Sequence, residues 1–339
     1  MTIIKLNYQN VKTNIFTNYL LDLDKNIFNG KKMRLAVIDC GTNTFNLLVV
    51  EVNGNEFKKI IKTRIPVKLG ENTINVGYIN EAAYQRGQNA LAEFKTICNE
   101  LKVYQIHAFA TSAIRDANNG AKFTNDALIK FNITIQTIDG NKEAELIYYG
   151  NRLAAPLSEK VSLIMDIGGG SNEYILCTRD QILWKQSFKL GAARLIDKFK
   201  PENPLKRETE LAMLNYLNLE LSDLFKACAK YQPTELVGSS GAFDSIIEMI
   251  HGELNGEPFT ENQLCYDVTL DNFKKIYDRV LGSTIEERKN IKGLIEMRVD
   301  MIVISCILIQ YTLSSLNINK LRVSTYSLKE GALYQLINS

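Results

Sequence analysis

The stretch Leu163-Ile-Met-Asp166-Ile-Gly-Gly-Gly170-Ser-Asn-Glu173-Tyr-Ile-Leu-Cys177 decides the fold of this chain. An apolar run ends in an aspartate, a glycine-rich turn follows, and a second apolar run returns. The stretch Val37-Ile-Asp39-Cys-Gly41-Thr-Asn-Thr-Phe-Asn-Leu-Leu48 has the same plan, with its aspartate 127 positions earlier. Apolar runs that flank glycine and polar residues are typical of strands joined by a tight turn. The duplication predicts two similar lobes, one domain length apart.

The rest of the chain alternates strands and helices and therefore belongs to the α/β class. A third turn, Gly238-Ser-Ser-Gly241, follows a short strand predicted over 235–237. Apolar periodicity predicts a helix over 81–101 and helical segments that fill most of 203–230, 242–253 and 285–317. Between these segments, the pattern predicts a strand over 106–110, a strand-to-helix junction at 111–115 and a helix that ends near 131.

Composition limits the classes of function. A chain of 339 residues has room for two domains, and 45% hydrophobic with 23% charged residues is typical of a globular protein. A formal net charge of +2 indicates neither a nucleic-acid partner nor a membrane surface. The apolar stretch 301–309 is too short for a membrane span, which takes roughly 20 residues. We therefore predict a cytoplasmic protein without nucleic-acid or membrane partners.

Cysteine and histidine usage excludes two further kinds of site. The six cysteines form no CxxC pair, so reduced thiols are predicted. The two histidines, His107 and His251, are too few for a histidine-built zinc site, and they are the only candidates for the histidine of a Ser-His-Asp triad.

Residues 1–32 stand apart, because they are rich in Asn and Lys and show weak periodicity. This composition predicts either a disordered leader or a translation start that was assigned too early, with Met33 as the true first residue.

The glycine turns and strand-end aspartates suit phosphate chemistry. A glycine turn lets the backbone approach a ligand and aims N–H groups at phosphate oxygens. An aspartate at a strand end offers hard oxygen ligands for a magnesium ion. Each unit alone is usually a simple hairpin. The duplicated pair together with the third turn predicts phosphate binding between two lobes.

The three turns resemble the phosphate loops of the acetate/sugar kinase–heat-shock-70–actin superfamily. Within it, the chain most resembles the exopolyphosphatase / guanosine pentaphosphate phosphohydrolase family. Five further segments carry this narrower resemblance: Val67-Lys-Leu69-Gly70-Glu71, Ala110-Thr111-Ser-Ala-Ile-Arg115, Ile138-Asp-Gly140-Asn-Lys-Glu143-Ala144, Gly191-Ala-Ala-Arg194-Leu195 and Ser327-Leu-Lys329-Glu330-Gly331. The match covers about 34–335.

The resemblance implies two ribonuclease-H-like lobes of the actin-like ATPase type, with the active site in the cleft between them. The first lobe would span 33–139, with a C-terminal helix at about 327–339 packing back on it, and the second would span 140–326. The family is commonly dimeric, so a homodimer is also implied. Its members are magnesium-dependent phosphohydrolases that act on the terminal phosphate of inorganic polyphosphate or of guanosine pentaphosphate.

The resemblance also assigns roles to individual residues. Glu143 matches the catalytic glutamate, which accepts a proton from the attacking water. Asp39, Asp166 and Glu173 match residues that place the metal ion. The phosphate-binding positions are Gly41, Thr42, Asn43, Arg115, Gly168, Gly169, Gly170, Ser171, Arg194, Gly238, Ser239, Ser240 and Gly241.

Simpler interpretations of these residues stay open. Glu143 could be a solvated carboxylate at a helix start capped by 140–141. Arg115 could be a surface arginine beside Asp116, and Arg194 could simply lie on a helix. The basic residues before Leu69 could follow a polyanion, but a solvated strand face is favoured; they are Lys58, Lys59, Lys62, Arg64 and Lys68.

The chain departs from the family pattern at four positions. Glu145 stands where arginine is usual, and we expect it to point to a different helix face from Glu143. Asn172 and Ala242 replace threonines, and Lys329 replaces an arginine, which removes bidentate phosphate contact.

The leading hypothesis is a magnesium-dependent exopolyphosphatase. The first alternative is a guanosine pentaphosphate 5′-phosphohydrolase that uses the same residues. The second, supported by the altered positions, is a non-catalytic sensor that binds an alarmone or polyphosphate. A sugar or acetate kinase ranks below these, because no kinase-specific motif is present.

Overall fold

The computed structural model describes residues 33–54, 56–261 and 263–338. The predicted leader over 1–32 lies outside the described residues.

The first lobe is built on a five-stranded sheet with the order β3-β2-β1-β4-β5. Its strands are β1 Met33–Cys40, β2 Thr44–Asn53, β3 Glu56–Pro66, β4 Gln105–Ala110 and β5 Ile135–Thr137. The central strand β1 is antiparallel to β2 and parallel to β4. Its residues 35–38 are buried on both faces, which explains why this strand is a continuous apolar run instead of an alternating one. The predicted strand–turn–strand unit is confirmed.

Three helices of the first lobe follow the predicted pattern: α1 Glu81–Glu100, α2 Ser112–Arg115 and α3 Gly120–Phe131. The side chain of Asn80 caps α1 by accepting a hydrogen bond from the amide of Ala83. The buried face of α1, which includes Leu91 and Phe94, packs on the sheet core. Helix α2 begins directly after β4, so the strand-to-helix junction at 111–115 is also confirmed.

The second lobe repeats the first. Its strands are β6 Ser162–Ile167, β7 Asn172–Cys177, β8 Ile182–Phe188, β9 Glu235–Ser239, β10 Cys265–Val268 and β11 Leu321–Ser324. They form a sheet with the order β10-β11-β9-β6-β7-β8. Apart from the edge strand β10, this is the arrangement of the first sheet, with β6 in the place of β1. Asp39 and Asp166 therefore occupy equivalent places, near the ends of the two central strands.

The remaining helices are α4 Gly140–Ala154, α5 Ala192–Phe199, α6 Arg207–Glu220, α7 Ser222–Tyr231, α8 Gly241–Met249, α9 Leu270–Leu281, α10 Ile285–Lys289, α11 Ile302–Ser315 and α12 Leu328–Asn338. Helix α8 continues into a π-helical turn over Ile250–Leu254. The prediction that helix fills most of 285–317 is wrong for 290–301, where turns and a short 3-10 helix separate α10 from α11. Gly293 in this segment has a φ of 87°, which a continuous right-handed helix does not allow.

Two helices hold the lobes together. Helix α12 packs against α4 and against β1, whereas α4 packs against β7 and β8 of the second sheet. One cluster of buried apolar side chains joins Val37 of β1, Ile164 of β6, Ile147 of α4 and Leu333 of α12. This is the arrangement expected of a C-terminal helix that returns to the first lobe. The division into 33–139 and 140–326 stays a prediction.

No helix within 33–54, 56–261 and 263–338 combines the length and the apolar character that crossing a membrane requires.

The cap of α4 provides a test of local stability. Asp139 accepts a hydrogen bond from the amide of Lys142 at 2.8 Å and so caps this helix. Replacing an N-cap aspartate with alanine costs about 1 kcal/mol. We expect Asp139→Ala to lower the free energy of unfolding by that amount in urea denaturation. Asp139→Asn is the matched control, because asparagine caps about as well as aspartate; an equal loss in both variants would contradict the capping role.

Candidate active site

A cavity of about 460 Å³ lies between the two lobes, where the turns after β1, β6 and β9 meet. Most of the predicted site residues line it. They are Asp39, Gly41, Thr42, Asn43, Glu143, Asp166, Gly168, Gly169, Gly170, Ser171, Ser240 and Gly241. The three loops that lie far apart in the sequence therefore form one concave surface.

The first and second glycine loops touch each other across the cleft. A Cβ atom added to Gly170 would lie 2.5 Å from Ser112 Oγ and 2.7 Å from Thr42 Oγ1. Only glycine allows this approach, which brings backbone amides of both loops to the same cavity.

Two residues of the third loop support the wall without lining the cavity. Gly238 lies against the ring of Phe243. Ser239 Oγ donates a 2.6 Å hydrogen bond to Asp166 Oδ2. Ser240, in contrast, lines the cavity. It has a φ of 71°, it precedes the first residue of α8, and its Oγ donates a hydrogen bond to the carbonyl oxygen of Ile167.

The two strand-end aspartates are held by neighbours of different kinds. Asn46 donates to Asp39 Oδ2 at 3.1 Å, and Ser327 and Ser239 both donate to Asp166 Oδ2. Burial raises the pKa of Asp39 to about 6, opposed by the charge of Lys329 and reinforced by that of Asp166. The pair thus concentrates negative charge at the floor of the cavity.

Glu143 lies in the first turn of α4, and its side chain enters the cavity. The residue is only 6% exposed, so its interpretation as a solvated carboxylate is wrong. Arg115 Nη1 donates to Glu143 Oε2 at 3.0 Å. Burial, and then the charge of Glu173, raise the pKa of Glu143 well above its usual range, although Arg115 opposes the shift.

Glu173 is fully buried on β7, beside the cavity wall and not in it. Its Oε1 accepts a 2.6 Å hydrogen bond from Ser187 Oγ. Burial and the charge of Asp166 raise its pKa to about 7. From this position the charge of Glu173 raises the pKa of Glu143.

The two predicted phosphate-binding arginines do not line the cavity. Arg115 donates to Glu143, to the carbonyl of Ile138 and to Asp116. Arg194 donates from Nε to the carbonyl of Gly170 at 2.9 Å, and its other nitrogens reach the first lobe. Both guanidinium groups are therefore engaged with protein acceptors.

The residues that depart from the family pattern lie in different surroundings. Glu145 pairs with Lys142 at 2.8 Å and with Lys185 at 3.5 Å, away from the cavity, so the prediction that it faces differently from Glu143 is confirmed. Ala242 is buried in the core of the second lobe. Lys329, in contrast, is a buried residue that lines the cavity.

Both interpretations of the basic residues of the first lobe hold in part: Lys59 and Lys62 are exposed, as a solvated strand face predicts, yet three of these residues also face the cavity. Lys59, Lys62 and Arg64 line the cavity from β3. Lys62 also donates to the carbonyl of Thr325, and Lys59 lies 3.3 Å from Glu261, both in the second half of the chain. Lys68 pairs with Asp300 instead.

A second charged group at the cavity, close enough to Arg64 for their charges to interact, was not predicted from the sequence. Arg298, from the 3-10 helix before α11, lies directly over Gly241, and its buried Nε has no hydrogen-bond partner. Asp244 and Glu248 of α8 line the cavity nearby, and burial raises the pKa of Glu248 to about 7. Because Arg298 lies far in sequence from the glycine loops, no motif signals this grouping.

Among the residues that the structure describes, no three His, Cys, Asp or Glu side chains converge as a ready-made metal cage. Asp39 and Asp166 are nevertheless two carboxylates on one cavity floor. This number suits Mg²⁺, which usually takes one or two carboxylates and completes its octahedron with waters and substrate phosphates.

Comparison with known proteins shows the family of this chain. Residues 48–339 match the model of the Ppx/GppA phosphatase family. Exopolyphosphatase 1 of Mycobacterium leprae is 25% identical over 310 residues, which cover 91% of this chain and 90% of that protein. The crystal structure of an exopolyphosphatase from Cytophaga hutchinsonii is 38% identical, with a TM-score of 0.88 and coverage of 90% of this chain and 98% of that one.

The fold is found in a more distant relative as well. The Ppx/GppA family member of Aquifex aeolicus superposes with a TM-score of 0.74 at 23% identity, covering 91% of this chain and 98% of that one. The predicted fold, two ribonuclease-H-like lobes of the actin-like ATPase type around a cleft, is confirmed. The chain belongs to the Ppx/GppA phosphatase family and is thus a phosphohydrolase that acts on phosphoanhydride bonds.

Proposed function

We propose that this protein is a cytoplasmic exopolyphosphatase that releases orthophosphate from the end of inorganic polyphosphate. The names of its relatives support this substrate, and the cavity suits a polyanion. The observation that carries the proposal is the position of Glu143: a buried carboxylate on the wall of a cavity formed by both glycine loops.

Glu143 acts as the general base. Its Oε atoms accept a proton from a water molecule as the water oxygen bonds to the terminal phosphorus, and the anhydride P–O bond to the rest of the chain breaks. A raised pKa makes Glu143 a stronger proton acceptor than an exposed carboxylate, which suits a reaction near neutral pH.

The glycine loops hold the terminal phosphate through their backbone amides. Lys329 and Arg298 add positive charge on two sides of the cavity, and Lys59, Lys62 and Arg64 extend it along β3. A phosphate chain that leaves the loops toward β3 would meet these cations in turn. Positioning and charge neutralisation are the main requirements of phosphoryl transfer.

Phosphatases of this family generally depend on a divalent metal ion, and we propose Mg²⁺ here. Asp39 and Asp166 would hold it, whereas Glu173, which the resemblance assigns to the same ion, does not line the cavity. A bound Mg²⁺ would neutralise charge on the phosphate oxygens. The homodimer implied by the resemblance stays a prediction.

The test is phosphate release by the purified protein with short polyphosphate, long polyphosphate and guanosine pentaphosphate in parallel, with and without Mg²⁺. Magnesium-dependent release from polyphosphate is the expected result. Preference for guanosine pentaphosphate would favour the nucleotide alternative. Tight binding of any of the three without release would favour the sensor.

The carboxylate pKa values predict the pH dependence. A protonated Glu143 cannot accept a proton, so activity falls as pH drops through its raised pKa. Asp39 and Glu173 lose charge as the pH falls through their pKa values of about 6 and about 7. We expect kcat/KM to decline below roughly pH 7, whereas ordinary carboxylates would sustain it to about pH 4–5. A rate that stays constant from pH 8 to pH 5 would contradict the proposed environment.

A further inference from the structure

Three side chains, those of Arg194, Asp116 and Arg115, connect the second glycine loop to Glu143 in an unbroken series of contacts. Arg194 Nε donates to the carbonyl of Gly170 at 2.9 Å, and Arg194 Nη2 lies 3.2 Å from Asp116 Oδ2. Arg115 Nε lies 3.4 Å from Asp116 Oδ1, and Arg115 Nη1 lies 3.0 Å from Glu143 Oε2. Each oxygen of Asp116 thus serves a different arginine.

The series crosses from one lobe to the other. Arg194 belongs to α5 of the second lobe, yet it also donates to the carbonyl of Ile74 at 3.2 Å and to Ser112 Oγ at 3.3 Å in the first lobe. Asn75 strengthens the same contact, because its Nδ2 donates to Asp197 Oδ2 at 2.8 Å. Arg194 is therefore placed between the lobes only when they are as close as in this structure.

These ion pairs are sufficiently shielded from water to fix the positions of their side chains. The exposed side-chain fractions are 11% for Arg194, 19% for Asp116 and 19% for Arg115. Charge pairs that are partly removed from water interact more strongly than exposed pairs. Without Asp116, the two neighbouring guanidinium groups would repel each other, and Arg115 would lose one of the acceptors that fix its plane.

We propose that Asp116 is a positioning residue for the reaction. When the lobes close around the substrate phosphate, Arg194 contacts Gly170 of the phosphate loop and pairs with Asp116. Asp116 in turn holds Arg115, which places the Glu143 carboxylate. This inference rests on the proposed role of Glu143 as the base. It assigns Arg115 and Arg194 to positioning, in place of the phosphate contact that the resemblance implies.

The test compares Asp116→Asn with Asp126→Asn. Asp126 has the same 19% side-chain exposure and also pairs with two cations, Lys122 and Lys130, but it lies on α3 away from the series. Misplacing a catalytic group by about 1 Å can cost up to 10²-fold in rate. We expect Asp116→Asn to lower kcat for polyphosphate about tenfold with KM within twofold, and Asp126→Asn to match the wild type.

A second variant guards against misfolding. Arg194→Lys keeps the charge but cannot reach Gly170, Ser112 and Asp116 together, so the same loss of kcat is expected, and the double variant should lose no more than either single variant. A rise of KM at constant kcat, wild-type kcat in Asp116→Asn, or losses that multiply in the double variant would overturn the proposal.

One readout does not depend on turnover. Amide hydrogen exchange over 139–146 should be faster in Asp116→Asn than in Asp126→Asn, because the start of α4 loses its anchor; equal exchange would also overturn the proposal. A wild-type protein that releases no phosphate would instead contradict the proposed function, and the exchange comparison would still decide whether Asp116 anchors this helix.

Discussion

Glu143→Gln lowers kcat for phosphate release by about 10²–10⁴-fold, the range that positioned general bases contribute. The amide has the shape of the carboxylate, and its oxygen can still accept the hydrogen bond from Arg115 Nη1. It cannot take up the proton of the attacking water. Because the phosphate loops are unchanged, we expect KM to stay within about threefold. The measurement is steady-state phosphate release at saturating Mg²⁺.

Glu145→Gln is the matched control on the same helix. Glu145 pairs with Lys142 and Lys185 outside the cavity, so its variant should keep the wild-type rate within about twofold. Thermal unfolding of Glu143→Gln should show no loss of stability, since the change removes a buried negative charge beside Glu173. A Glu143→Gln protein that retains more than a tenth of the wild-type rate would show that another group accepts the proton.

The parts of the site that could be predicted from sequence are those built by local chain geometry. A strand, its terminal aspartate and the glycine turn that follows are consecutive residues, so the residue order alone places Asp39 and Asp166 at strand ends. The duplication then predicts that the two units face each other. Their sheets do share one strand order, and their loops touch at Thr42 and Gly170.

The parts that could not be predicted depend on how the lobes meet. Lys62 and Arg64 lie on an edge strand whose pattern is typical of a solvated face. Both line the cavity, and Lys62 donates to the carbonyl of Thr325 in the second half of the chain, a contact that no periodicity reveals, although β3 stays largely exposed. Arg298 reaches the site from a break between two helices, within the segment 285–317 that the sequence predicted to be mostly helical.

The roles of Arg115 and Arg194 likewise depend on tertiary contacts, which the sequence does not show. A guanidinium group beside a phosphate loop suits phosphate contact, and the resemblance implied that role. The structure supplies competing acceptors, above all Asp116, at distances that engage both side chains. Residue type and motif indicated the neighbourhood of these groups but not their partners.

Lys329 is the departure from the family pattern with the largest expected consequence. It lies in the first turn of α12, is only 8% exposed and lines the cavity. Burial lowers its pKa, but the charges of Glu330 and Asp39 outweigh burial and raise it overall, so Lys329 remains a cation. Lys329→Met removes the positive charge that lowers the pKa of Asp39 and of Glu330, although Glu330 keeps Lys62 at 3.6 Å, and it removes a cation from the substrate path. Loss of one partner of a buried charge pair costs about 2–5 kcal/mol. We therefore expect kcat/KM for polyphosphate to fall about 100-fold, which corresponds to a free energy in the lower part of that range.

Two further variants decide what the lysine contributes. Lys329→Arg restores the residue usual in the family and keeps the charge, so kcat/KM should stay within about threefold of the wild type. Lys185→Met removes a partly buried lysine that pairs with Glu145 outside the cavity and should leave kcat/KM unchanged. The folded fraction of each variant is checked by circular dichroism at the assay temperature. If Lys329→Met retained wild-type kcat/KM while folded, Lys329 would not contact the phosphate chain, and the other cations that line the cavity would have to neutralise it. If Lys329→Arg exceeded the wild type by tenfold or more, lysine at this position would limit turnover, and this result would add to the support that the altered positions give to the sensor alternative.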